Sequence, residues 1–176
     1  MESPVPHAVV LSRPAAVPLR SIVATALFVA LIDGLYVVAA FDWIMGVTTA
    51  TRLFQGIALA LVGRDTALGG GTAMVMLGMA THVAIALAWT TAWALLVMLV
   101  PRLRELATSL PAAIFLGIAW GIVIHLAMQL ALLPMTQAAV APLASRGSLI
   151  VLLAHVTVIG PPIVLLLRSR RLTGRE

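Results

Sequence analysis

Four ionisable residues stand inside otherwise apolar runs of the chain: Asp33, His82, His125 and His155. Each of the four long apolar runs holds one of them and no other side chain that titrates near neutral pH. Three imidazoles and a carboxylate are a usable donor set for zinc, iron, copper or nickel. Two imidazoles from different helices can hold a haem iron. An Asp–His layer can instead relay protons, because burial and pairing move histidine across neutral pH. Met79, three residues before His82, and Met128, three after His125, would add thioethers and draw such a set towards copper. The plainer role stands beside each of these: a histidine in a membrane span can simply bond a backbone carbonyl or a serine, and methionine is ordinary core filler.

The elements that must position these groups are membrane helices. Of 176 residues, 62% are hydrophobic and 10% charged, with mean hydropathy +1.12. A water-soluble domain is nearer half apolar and a quarter charged, so lipid is the better solvent for this chain. The spacing predicts spans at about 21–41, 72–100, 110–133 and 148–167, each long enough for a hydrocarbon core that takes about 20 residues. The first run exceeds the apolar core of a cleavable signal peptide, about 7–15 residues, and carries Asp33, so it reads as a retained helix. The expected architecture is an all-α antiparallel four-helix membrane bundle over residues 21–168. A flexible proline-rich arm (1–20) holding an idle His7 precedes it, and a basic tail (169–176) follows.

Between spans one and two, residues 51–62 have helical periodicity but are too short to cross. Leu53, Phe54, Ile57 and Leu61 make one stripe, with Arg52 and Gln55 off it, which predicts an amphipathic interfacial or re-entrant helix. Gly69, Gly70 and Gly71 lack the lysine and strand of a phosphate loop and read as a hinge. Gly160-Pro161-Pro162 should break or kink span four. Trp89, Trp93 and Trp120 read as packing residues and Trp43 as an interfacial anchor.

All the positive charge is arginine. Eight arginines fall on the side of the N-terminal arm, the second connection and the tail, and Arg52, Arg64 and Arg146 fall on the other. The positive-inside rule then places both termini in the cytoplasm. The net charge of +5 therefore faces lipid headgroups and implies no nucleic acid. Absence of cysteine excludes disulfides, thiolate metal sites and cysteine nucleophiles.

With that orientation the four groups lie roughly 10–15 Å below the outer boundary, in one layer. Gly78 and His82 are four apart on a helix, as are Gly121 and His125, and then Gln129. Small residues mark helix contacts, so these faces should turn inward. Gly117 and Gly121 form a GxxxG, a second packing signal.

The run from Arg52 to Ala58, then Gly69-Gly70, Leu77 to His82, Gly121 to His125, Leu133-Pro134, and His155 before Gly160-Pro161 resembles a widespread group of uncharacterised four-span bacterial inner-membrane proteins. The likeness covers about Ile32 to Arg168. More distantly the chain is similar to YagU-like membrane proteins, which carry an aspartate at the position of Asp33 and an asparagine where Gln129 stands. The resemblance implies a multi-pass inner-membrane protein and brings no activity with it. Three functions are then open. One is binding or transport through the Asp33/His82/His125/His155 layer, with Gln129 beside it, for a metal, haem or protons. Another is a structural or assembly partner in a homo-oligomer or larger membrane complex. The last is a lipid-active enzyme, which no nucleophile, His–Asp–Ser grouping or H-E-x-x-H supports. The sequence requires no cofactor, and membrane lipid is the expected surrounding partner.

Overall fold

The computed structural model describes residues 17–136, 138 and 140–169. His7, nearly all of the N-terminal arm and the arginines of the tail beyond Arg168 lie outside them. The described chain is all helical, and four of its helical runs are long and apolar enough to cross a membrane: Leu19–Ile44, Gly71–Leu99, Leu110–Met135 and Arg146–Arg168. These are spans 1 to 4, and they agree with the sequence reading to within three residues at each end. Their most apolar stretches are only 28–33% buried within the protein. The rest of each surface carries large apolar side chains, such as Leu27, Phe28, Leu31 and Leu35 on span 1. That much exposed hydrocarbon is stable only against lipid tails. The protein is a multi-pass all-α membrane bundle.

Span 1 is α1 (Leu19–Val38) followed by a π-helical turn, Ala39–Ile44. Asp42 at its end accepts from the backbone N–H of Ala50 at 2.8 Å, which helps start α2 (Ala50–Val62), whose first turn Thr49 caps. A short α3 (Arg64–Gly69) was not foreseen. Gly71, at φ +57, turns the chain into α4 (Gly71–Leu99), which is span 2. That left-handed corner is where the triple glycine is used, since residues with a Cβ resist positive φ. Pro101 opens the short α5 (Pro101–Leu106). Span 3 is α6 (Leu110–Ala127), a π-helical turn Met128–Leu132 and a 3₁₀ turn Leu133–Met135. Span 4 is α7 (Arg146–Ala154), a π-helical turn His155–Ile159 and α8 (Gly160–Ser169).

The expected break at Gly160-Pro161-Pro162 takes a milder form. The N–H of Gly160 bonds to the carbonyl of His155, five residues back, so the helix widens by one residue before the prolines. Both prolines then stand in the first turn of α8, where a missing N–H costs little. Span 4 runs on as one helix.

Around the bundle the spans follow the order 2, 1, 4, 3, and spans 3 and 4 make the closest pair. Glycine sets that closeness. A Cβ on Gly117 would overlap Pro161, one on Gly121 would overlap the carbonyl of His155, and one on Gly160 would overlap the carbonyl of Gly117. The GxxxG of span 3 is thus consumed inside the chain. Gly78 meets a neighbouring helix too, but it is α2 rather than a span: a Cβ there would overlap the carbonyl of Phe54. The predicted stripe of α2 also needs correction. Its buried residues are Gln55, Ala58 and Leu59, while Leu61 is exposed and Leu53 and Ile57 are half-buried. The Gly78 groove admits the Phe54–Gln55 edge of the helix, and Gln55 is satisfied there by the carbonyl of Gly71 at 3.4 Å. Arg52 ties α2 to α3 through Gln55 and the carbonyl of Leu68.

The core joins Val29, Trp93, Ile124, Ile163 and Val164 from all four spans. Trp120 meets Trp89 edge-on at 5.9 Å and Trp93 at 5.5 Å, so the tryptophans bridge spans 2 and 3. Trp43, by contrast, is exposed at the end of span 1.

Candidate functional site

Depth comes first. Counted from the span ends on the α2 side of the bundle, Asp33 and His82 are 11 residues in, His125 is 10 and His155 is 9. The four are therefore roughly level, on the order of 15 Å from that face. Laterally they fall into two pairs.

The first pair joins spans 1 and 2. His82 Nε2 donates to the carbonyl of Ala30 at 3.0 Å and stands 3.6 Å from Asp33 Oδ2. A carbonyl can only accept, so that nitrogen carries a proton, and in the neutral imidazole Nδ1 then holds a lone pair. The 3.6 Å contact is an ion-pair distance and too long for a good hydrogen bond. Phe54 of α2 closes edge-on over the imidazole at 6.3 Å. The side chains of His82 and Asp33 retain 15% and 13% exposure, so the pair is reachable rather than sealed.

The second pair joins spans 3 and 4. His125 and His155 meet edge to face at 5.4 Å. His155 Nδ1 donates to the carbonyl of Val151 at 2.7 Å, one turn back in its own helix. His125 Nε2 lies 3.3 Å from the Ser148 hydroxyl, which also accepts from the Gln129 side-chain amide at 3.4 Å. His125, Gln129 and Ser148 are all buried. Sequence reasoning missed Ser148, although Ser145 caps the helix on which it sits and places it in the first turn, at the level of Gln129. It also missed Tyr36, whose hydroxyl donates to the carbonyl of Ile150 at 3.3 Å and clips span 1 to span 4.

The expectation of one four-residue ligand set is not met in this geometry. Among the described residues no three of His, Cys, Asp and Glu are grouped closely enough to hold a metal ion. The edge-to-face contact of His125 and His155 leaves no gap for a porphyrin plane between them. Met79 points out of the bundle. Asp33, His82 and His155 do share one thing. They line a single cavity of about 490 Å³ that all four spans and α2 enclose, whereas His125 does not reach it. Its other walls are mainly apolar: Val29 and Ala30 from span 1, Ile85 and Trp89 from span 2, Met128 from span 3 and Ile57 from α2. Among the described residues no arginine lines it. The separation of spans 2 and 3 beyond their tryptophan contact makes room for it, and α2 covers it from one side.

No protein-family model, no curated protein and no solved structure matches the chain. The site therefore has to be interpreted on its own chemistry. A volume of several hundred Å³ with apolar walls and a few convergent polar groups is the usual form of a small-ligand site. Ionisable residues at membrane depth that face a cavity are costly to keep unless they are used or paired.

Proposed function

We propose that this is a bacterial inner-membrane protein with both termini in the cytoplasm, a member of the four-span group it resembles, and that it is of binding or transport type. Its working site is the Asp33–His82 pair, which takes up and releases a proton at the wall of the cavity. The carrying observation is the 3.6 Å carboxylate–imidazole contact opening onto that cavity. A carboxylate and an imidazole at this distance, in a medium of low dielectric, compete for one proton, and a change in what occupies the cavity shifts the balance between them. The titratable groups facing the pair are Tyr36 on its own span and His155 across the cavity; span 3 and α2 bring no charged side chain to the lining. The geometry supports the proton reading above a metal or a haem, because no three donors are grouped among the described residues and the two imidazoles that meet do so edge to face, with no gap for a porphyrin.

Difference infrared spectroscopy of the protein in lipid nanodiscs tests this. On titration, a protonated-carboxyl stretching band should fade as pH rises and return as pH falls. It should be missing in Asp33→Asn. A spectrum without such a band, or with the band intact in Asp33→Asn, contradicts the proposal.

A further inference from the structure

The occupant of the cavity can be narrowed by counting donors and lone pairs on its wall. Asp33 offers acceptor oxygens, and His82, at 3.6 Å, is its ion-pair partner among the described residues. His82 has committed Nε2–H to Ala30, and His155 has committed Nδ1–H to Val151. Each neutral ring is left with a lone pair on its other nitrogen. Thr81 and Thr136 also line the cavity, and their hydroxyls donate to the carbonyls of Leu77 and Leu133; Thr81 keeps its lone pairs, and Thr136 keeps one beside the one that accepts from the N–H of Ala138. Among the described residues, the indole N–H of Trp89 is the one remaining side-chain donor of the lining, and no guanidinium or ammonium group stands there to meet an anion.

A wall made of acceptors and one carboxylate selects a ligand made of donors. An anionic ligand with no ammonium group of its own would meet Asp33 with no cation to offset it, at a large cost in low dielectric. A carbonyl compound would leave most of these lone pairs unmatched. An ammonium group satisfies them and replaces the proton of the Asp33–His82 pair, while an apolar body fills the hydrocarbon-lined remainder. We infer that the cavity binds a lipophilic amine, with its ammonium group on Asp33 and its apolar part among Ile57, Ile85, Trp89 and Met128. The inference rests on the reading of the cavity as a binding chamber. The amine has two sources, a free lipophilic amine or the headgroup of an aminophospholipid, and the chemistry at Asp33 is the same for both.

The test uses full-length protein in nanodiscs of phosphatidylcholine, with monodansylcadaverine as a fluorescent primary amine and dansyl pentylamide as its neutral counterpart. The expected result is at least about tenfold tighter binding of the amine, a difference of about 1.4 kcal/mol, which collapses in Asp33→Asn. Equal affinity for the two probes, or an unchanged preference in Asp33→Asn, overturns the inference. Should Asp33→Asn not fold, Ala60→Trp fills the cavity from α2 and leaves the carboxylate in place; it should abolish amine binding, and retained binding overturns the site. Repeating the titration with phosphatidylethanolamine in the disc separates the sources: displacement of the probe assigns the lipid headgroup, and no displacement assigns a free amine. A carboxyl band that titrates without amine preference removes this inference and leaves the proton reading standing. Amine preference without a titrating band does the reverse.

Discussion

Spans 1 and 2 and spans 3 and 4 each carry an ionisable pair at nearly the same depth, and the surroundings of the two pairs are opposite. In the half built from spans 3 and 4, glycines 117, 121 and 160 bring backbones into contact, and Ser148 bonds to both His125 and Gln129. In the other half the close approach is spent on α2 at Gly78, and the Asp33–His82 pair looks into a cavity. The same residue types thus act as a lock in one half and as an accessible site in the other. What decides between them is where the small residues lie. Glycines facing another span squeeze out space, and a glycine facing a short lid helix leaves space beneath it.

That contrast can be broken most sharply at the glycines. Gly121→Leu forces a side chain into the His155 carbonyl and should cost on the order of 3 kcal/mol or more, read from unfolding of the purified protein in detergent. Gly56→Ala, on the cavity side of α2 with open space around it, should change stability by no more than about 0.5 kcal/mol. A similar loss for both would show that the spans 3–4 contact is no tighter than the lid. Next in size is Ser148→Ala, which strips His125 and Gln129 of their shared partner. Leaving buried polar groups unmatched costs about 1–2 kcal/mol, moderated in membranes where freed groups find other partners. Unchanged unfolding would mean the cluster holds nothing together. Smallest is Asp33→Asn. The neutral, nearly isosteric amide forgoes the attraction to His82 but also removes the cost of burying a charge, and the two offset each other, so stability should hardly move while the carboxyl band and amine selectivity disappear. A collapse of the fold in Asp33→Asn would make the pair a structural one and dissolve the contrast.

The four spans were legible because long apolar runs dominate every other signal; the predicted 110–133 became Leu110–Met135 and 148–167 became Arg146–Arg168. The level of the four ionisable groups was legible too, since it follows from counting along helices. Their division into pairs was not. Helical spacing says which face a residue occupies on its own helix, and nothing about the order 2, 1, 4, 3 around the bundle. Gly78 and Gly121 illustrate the limit: both precede a histidine by four, both are packing positions, and one meets α2 while the other meets span 4. The π turns were hidden as well. At His155 the cause is written in Pro161 and Pro162, but whether missing donors kink a helix or widen it depends on the neighbour, here the Gly117–Gly121 face. Gln55 was placed off the buried face of α2 because it is polar, and its burial depends on a carbonyl at Gly71 that only the corner after α3 brings near.

The central claim is that the cavity reaches both members of the Asp33–His82 pair and only His155 of the other, leaving His125 and its partner Ser148 sealed from it. The chain has no cysteine, so a single introduced thiol can be read without background. Thr81→Cys, on the cavity wall beside His82, and Ser148→Cys, two residues inside the Arg146 end of span 4 yet fully buried, can each be exposed to a membrane-impermeant thiosulfonate in open membrane sheets, which admit the reagent to both faces. The account predicts rapid labelling at 81 and protection at 148, although 148 lies nearer the membrane surface. Labelling at 148 with protection at 81 would contradict it.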